Sequence, residues 1–207
     1  GLTKGQYSPT SGKGYVSKSS PMGSIERPLE PLALALSAEA SFVARTMDTN
    51  VGHLGETLLT AAAHKGVSFV EVYQNCLIFN PKEWEQYGDR KTRDDHMLFL
   101  EHGQPMVFGT NRDKGIILDD KLEPQVVELG DRYAESDLLV HDAHSESTHL
   151  AYIISRLRQP SAMGVLRSVE RETYGDGLSA QVREAQAAKG PGDLHTLYRE
   201  SDLWTVE

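Results

Sequence analysis

The chain has 207 residues, 39% of them hydrophobic and 25% charged, with a net charge of −9 and a single cysteine. That length can bury a sizeable core, and the acidic balance argues against nucleic acid or an anionic membrane surface as partner. No apolar run reaches the ~18 residues of a membrane span, no secretion signal opens the chain, and one cysteine excludes an internal disulfide framework and fits a reducing cytoplasm.

Residues 1–31 are rich in Gly, Ser, Thr and Pro and read as loop or extended chain. A helix is predicted from Leu32 to Glu39, started by Pro31, followed by a short buried strand over 41–48, SFVARTMD. Thr49 or Asn50 then caps a helix from His53 to His64, with Leu54, Leu58, Leu59 and Ala62 on one face. Gly66 ends it, and VSFVEVY (67–73) reads as a β-branched, aromatic-rich strand. Strand, helix, strand with short connections is the pattern of a parallel sheet covered by helices.

From Asn80 to His102 the chain turns polar, with a short helix and loop around Trp84. PMVFGT (105–110) and GIILDD (115–120) flank NRDKG and predict a hairpin, and DLLVHDA (137–143) predicts a further buried strand. Ser147 caps a helix carrying Leu150, Ile153, Ile154 and Leu157 at helical spacing. MGVLRSVERETY (163–174) should be extended and LSAQVREAQAA (178–188) helical, and the tail should be a short helix with a terminus packed through Leu203 and Trp204. The fold class is α/β, with a regular half over 1–80 and a mixed α+β extension over 81–207.

Four stretches carry chemistry-bearing residues. The opening GLTKGQYSPTSGKGY crowds glycine, lysine, serine and threonine as an anion loop does. Six residues separate Gly5 from the Gly12-Lys13 pair, however, and Gly14 follows the lysine, so the spacing excludes a nucleotide triphosphate loop. Composition leaves a flexible loop and an anion loop both open. Cys76 follows a strand, where a lone cysteine is a small hydrophobe or, at a strand's carboxyl end, part of a ligand site. No neighbouring residue type lowers its pKa, which argues against a catalytic thiol. HDAHSESTH (141–149) lacks a zinc spacing and reads as a strand end and a helix cap, and YGDG (174–177) reads as a turn.

The segment GLTKGQYSPTS strongly resembles the hallmark loop of the β subunits of 2-oxoacid:ferredoxin oxidoreductases. The resemblance runs on through KSSPMGSIERPLEPLALALSAEASFVAR, VEVYQNCLIFN, GVLRSVERETY and the terminal DLWTVE, and is strongest to the 2-oxoglutarate type. It implies the C-terminal part of a parallel-sheet thiamine diphosphate-binding domain over 1–80, with the β subunit's C-terminal extension over 81–207. It implies a cytoplasmic enzyme of the EC 1.2.7 type, acting in complex with an α subunit. A 2-oxoacid and coenzyme A become acyl-CoA and CO2, with electrons passing through a [4Fe-4S] cluster to ferredoxin. Pyruvate in place of 2-oxoglutarate, or a non-catalytic α/β interaction module, are the alternatives.

By the same resemblance Gly1, Leu2 and Thr3 lie against the diphosphate and thiazolium region of thiamine diphosphate. Lys4 sits near substrate or CoA anionic groups, with Gln6, Ser8 and Thr10 as polar wall, and Cys76 is the fourth cluster ligand. A start at Gly-Leu-Thr marks the chain as a fragment. The family's Gly-Asp-Gly metal motif, its Mg2+-binding asparagine and its Cys-x-x-Cys pair are expected upstream of Gly1. The fragment alone is therefore expected to hold neither the cluster nor Mg2+–thiamine diphosphate.

Overall fold

The computed structural model of the chain describes residues 2–89, 91–200 and 203–204. The chain divides into two compact units, Gly1–Glu170 and Arg171–Glu207.

In the first unit, Pro31 starts α1 (Pro31–Ser37) at the position where a missing N–H costs nothing. The apolar run after it becomes β1 (Phe42–Met47), buried along its whole length. Asn50 caps α2 (Val51–Ala63), its side chain accepting the His53 N–H. The chain then returns as β2 (Ser68–Tyr73), parallel to β1 with Phe42 opposite Ser68 and Met47 opposite Tyr73. The strand–helix–strand unit read from the sequence is therefore present.

The face that α2 turns to the sheet is not the leucine face. Leu58 and Leu59 are 46% and 74% exposed, whereas Thr57 is buried and His53, Ala61 and His64 are half-buried. The reason is the polarity of the strand surface beneath. Thr46 Oγ1 lies 2.8 Å from His53 Nδ1, and Ser41 Oγ lies 2.9 Å from His64 Nε2. Those hydroxyls need partners, and His53 and His64, on the stripe at 53, 57, 61 and 64, supply them.

The connecting segment carries α3 (Glu85–Gly88) and a three-residue strand β3 (Met97–Phe99), which the polar composition of 80–102 concealed. Then come β4 (Val107–Phe108), β5 (Lys114–Leu118) and β6 (Pro124–Glu128), an antiparallel meander whose first two strands are the predicted hairpin. Asp95 pins this hairpin. Its carboxylate accepts from Lys114 Nζ at 2.8 Å and Thr110 Oγ1 at 2.9 Å, and the Lys114 bond leads in lowering its pKa to about 2.

The segment 137–143 forms no strand: Asp137 ends a 3-10 turn and Ala143 enters another turn. Leu139 N–H donates to Ile116 on one side, while Met106 and His141 exchange bonds with Leu139 and Gln104 on the other. Divided between two neighbours, its hydrogen bonds close only an isolated bridge between Pro105 and Val140. After α4 (His149–Ser155), β7 (Ser161–Ser168) inserts beside β1, antiparallel to it and parallel to β3. The main sheet thus runs β2-β1-β7-β3. Its core joins Leu32 and Leu36 of α1, Val43 of β1, Ile154 of α4 and Leu166 of β7.

The second unit holds α5 (Tyr174–Lys189) and α6 (Leu194–Glu200). YGDG is not a turn but the first turn of α5. Thr173 Oγ1 accepts the Asp176 N–H at 3.1 Å, and an acidic residue there suits the positive end of the helix. Leu203 and Trp204, expected to pack the terminus, are 66% and 84% exposed. No helix among the described residues is long and apolar enough to cross a membrane.

Candidate functional site

The opening loop is tied down by hydrogen bonds throughout. Leu2 N–H donates to Gln6 O at 3.1 Å, and Gly5 N–H to Leu2 O at 2.8 Å. The Lys4 amide donates to Gln6 Oε1 at 3.1 Å, which leaves the Lys4 ammonium in solvent. Farther along, Gly14 N–H meets Ser24 O at 2.7 Å, and Tyr7 Oη stands 2.9 Å from both Glu26 carboxylate oxygens.

That loop rests on the turn that holds Cys76. Gly5 has φ +85°, and a Cβ built there would stand 2.8 Å from Phe79 Cδ1, so glycine is required by backbone and by space alike. Tyr15 Oη donates to Phe79 O at 3.2 Å. The turn is closed by Asn80 N–H to Cys76 O at 2.8 Å. The thiol pKa is lowered to about 7, the Phe79 amide being the leading cause and the Ile78 and Asn80 amides lesser ones. The sequence reading found nothing to lower this pKa. The leading cause is a main-chain amide brought near by a turn, which residue types alone do not display.

Leu2, Ser8 and Thr10 of the loop share with Cys76 a cleft of about 790 Å³. Thr3 and Lys4 stand exposed on the loop, outside the cleft lining, and Gly1 lies outside the described residues. One wall of the cleft is Tyr73 stacked on Trp84, ring centroids 4.0 Å apart. Burial raises the Tyr73 pKa. Beneath lies Arg45, 3% exposed, its Nε 2.7 Å from Glu71 Oε2 and its guanidinium 4.9 Å from the Tyr73 ring centroid. Arg45 also donates to Ser155 O at 3.1 Å and Ser161 Oγ at 3.3 Å. An arginine this deep persists only with such a full set of partners. At the rim, Arg158 pairs with Glu30.

Arg45, Glu71, Tyr73, Trp84 and Phe79 were not singled out from the sequence. A signal existed for the first two: FVARTM and SFVEVY each carry one charge of opposite sign, and parallel register places Arg45 beside Glu71. The three histidines of 141–149 gather differently. Among the described residues no group of three or more His, Cys, Asp or Glu side chains could hold a metal ion. Cys76, the chain's single cysteine, is free and half-buried beside the cleft.

No family model matches the chain. The 2-oxoglutarate oxidoreductase subunit KorB of Mycobacterium tuberculosis is 38% identical over 213 aligned positions, covering 100% of this chain and 56% of the relative. The 2-oxoacid:ferredoxin oxidoreductase subunit beta of Saccharolobus solfataricus is 41% identical over 91 residues, 44% of this chain and 30% of the relative. The chain thus spans about half the length of the first of these relatives and less of the second. Among solved structures, a chain of the 2-oxoglutarate:ferredoxin oxidoreductase from Magnetococcus marinus, with 2-oxoglutarate, coenzyme A and succinyl-CoA bound, matches with a TM-score of 0.63 and 21% identity. It covers 98% of this chain and 54% of that one, a likeness of fold.

Proposed function

We propose that this chain, homologous over its whole length to 2-oxoacid:ferredoxin oxidoreductase β subunits, is the C-terminal portion of such a subunit. With an α subunit, the intact protein oxidatively decarboxylates 2-oxoglutarate with coenzyme A and passes the electrons to ferredoxin. One observation carries the reading. The opening loop and the Cys76 turn, separate in sequence, are built against each other around one cleft.

In this reading Leu2 and Thr3, with Gly1 before them, hold the cofactor's diphosphate side. Bound thiamine diphosphate supplies the electron sink that decarboxylation of a 2-oxoacid needs. Lys4, exposed and with no ion-pair partner among the described residues, presents a positive charge to the carboxylate of the 2-oxoacid or the phosphates of coenzyme A. Cys76 ligates the [4Fe-4S] cluster that takes the electrons, its thiolate stabilised by the Phe79 N–H. The remaining cluster ligands and the Mg2+ ligands are residues other than those named here.

In the αβ complex assembled with the intact β subunit, Cys76→Ser should lose cluster iron and ferredoxin reduction. Wild-type iron content together with wild-type turnover would falsify the assignment. Lys4→Ala should raise KM for 2-oxoglutarate or coenzyme A by about 10-fold or more, as expected from loss of a charge-assisted contact. Comparing 2-oxoglutarate with pyruvate in the same assay fixes the substrate.

A further inference from the structure

Phe79 touches both halves of the site. Its ring lies against the Gly5 Cα, close enough that a Cβ there would stand 2.8 Å from Cδ1 and 3.1 Å from Cε1. Its carbonyl accepts the Tyr15 hydroxyl at 3.2 Å. Its main chain lies within the turn that Asn80 N–H closes on the Cys76 carbonyl at 2.8 Å. We infer that Phe79 is a positioning residue that couples the opening loop to the sulfur of Cys76, so that occupancy of the loop retunes the cluster. The inference rests on the reading of Cys76 as a cluster ligand.

Two physical routes run through this residue. The first is steric. The 2–6 turn is closed by two backbone bonds, Leu2 N–H to Gln6 O and Gly5 N–H to Leu2 O, and moves as one piece. No side chain fits between Gly5 and the Phe79 ring, so a displacement of this turn toward the ring shifts the ring and the amide attached to it. The second is electronic. The Phe79 carbonyl and the Asn80 N–H belong to one peptide unit, so the Tyr15 bond to that carbonyl polarises the Asn80 N–H. Asn80 N–H closes the turn on the Cys76 carbonyl at 2.8 Å. Hydrogen bonds to cluster sulfurs are among the factors that set a cluster's potential, and the groups behind a ligand tune it. Both routes act on that one quantity.

The test is a redox titration followed by electron paramagnetic resonance, on the αβ complex with the intact β subunit, with and without Mg2+ and thiamine diphosphate. Wild type should change its cluster midpoint potential when the cofactor is added. Tyr15→Phe removes only the donor to the Phe79 carbonyl, and Phe79→Leu keeps the N–H but shortens the ring that meets Gly5. Both should retain wild-type iron content while the cofactor-induced shift collapses. A merely structural role would lower iron content and leave the shift intact in the loaded fraction. If Phe79→Leu loses its iron, Tyr15→Phe decides alone. A wild-type potential indifferent to the cofactor, or a shift undiminished in iron-replete variants, overturns the coupling while loss of iron in Cys76→Ser still upholds the ligand reading. Retention of iron in Cys76→Ser overturns the ligand reading and this inference with it.

Discussion

Two stretches of this chain, one with the single cysteine and one with three histidines, carry side chains that bind metals and protons, and the structure treats them in opposite ways. Around Cys76, a turn closed by Asn80 N–H on the Cys76 carbonyl holds a half-buried cysteine at the edge of a cleft. Around His141 and His144, ring nitrogens close onto backbone. His141 Nε2 lies 2.8 Å from Val165 O and His144 Nδ1 2.6 Å from Ser168 O, while His102 Nδ1 receives the Ala143 N–H at 3.3 Å. A carbonyl can only accept, so the first two nitrogens carry protons and donate. Residue type is thus a poor guide to chemistry. The lone-pair nitrogen of His141, Nδ1, is buried without a hydrogen-bond partner among the described residues, so what marks this stretch as a strut is that the rings of His141 and His144 are anchored by an N–H to backbone, whereas Cys76 lines a cleft.

The comparison breaks first, and by the largest effect, at the floor of the cleft. Glu71 is the only ion-pair partner recorded for Arg45 among the described residues, and Arg45 is 3% exposed. Glu71→Ala should cost about 3–5 kcal/mol in urea denaturation, because it strands a buried cation. A loss below about 1 kcal/mol would mean that the carbonyls of Ser155 and Ala162 suffice to hold the guanidinium.

The histidine stretch comes next. His141→Ala removes a ring that is 1% exposed and leaves Val165 O without its donor. The expected destabilisation is about 2–4 kcal/mol, from the cavity and the orphaned carbonyl together. A neutral outcome would show that the histidine stretch is not the strut its hydrogen bonds describe.

These two residues also show what the sequence made legible. The strand–helix–strand unit around β1, the Asn50 cap and the 105–120 hairpin follow from local pattern, because each is decided within about ten residues. The place of β7 is not local, since its pairing with β1 spans over a hundred residues and leaves no periodicity to read. Arg45 looked like a flaw in a buried strand until register set it beside Glu71. Within the site, the loop and Cys76 were legible by resemblance. Their contact through Phe79 was not, because a backbone amide, a ring face and a missing Cβ have no signature in composition.

A smaller effect sharpens the comparison through pH. Burial is the leading cause that lowers the pKa of His141, and it leads for His53 as well, where Glu56 opposes it. A lowered folded-state pKa means that the folded chain binds these protons less readily than the unfolded chain does. The stabilisation is therefore fully present above the unfolded value of about 6.5 and is lost as pH falls through the lower folded values. Urea midpoints should fall between neutral pH and pH 5 in wild type, and fall less in His141→Ala. Equal pH dependence in both would remove His141 from the account.

The smallest expected stability effect belongs to Cys76, and there the contrast is most exposed to test. If the turn presents its sulfur outward rather than using it for packing, Cys76→Ser should change the unfolding free energy by no more than about 0.5 kcal/mol, as at a surface position. The sulfur's chemistry should nonetheless be unusual. Alkylation by iodoacetamide should reach half its limiting rate near pH 7, where the Phe79 N–H and its neighbours hold the thiol pKa, rather than near 9. Phe79→Leu keeps that N–H but releases the ring from Gly5, and should move the alkylation profile upward without unfolding the chain. A profile centred near 9 in wild type would place Cys76 with the histidines, as a side chain the fold has already used.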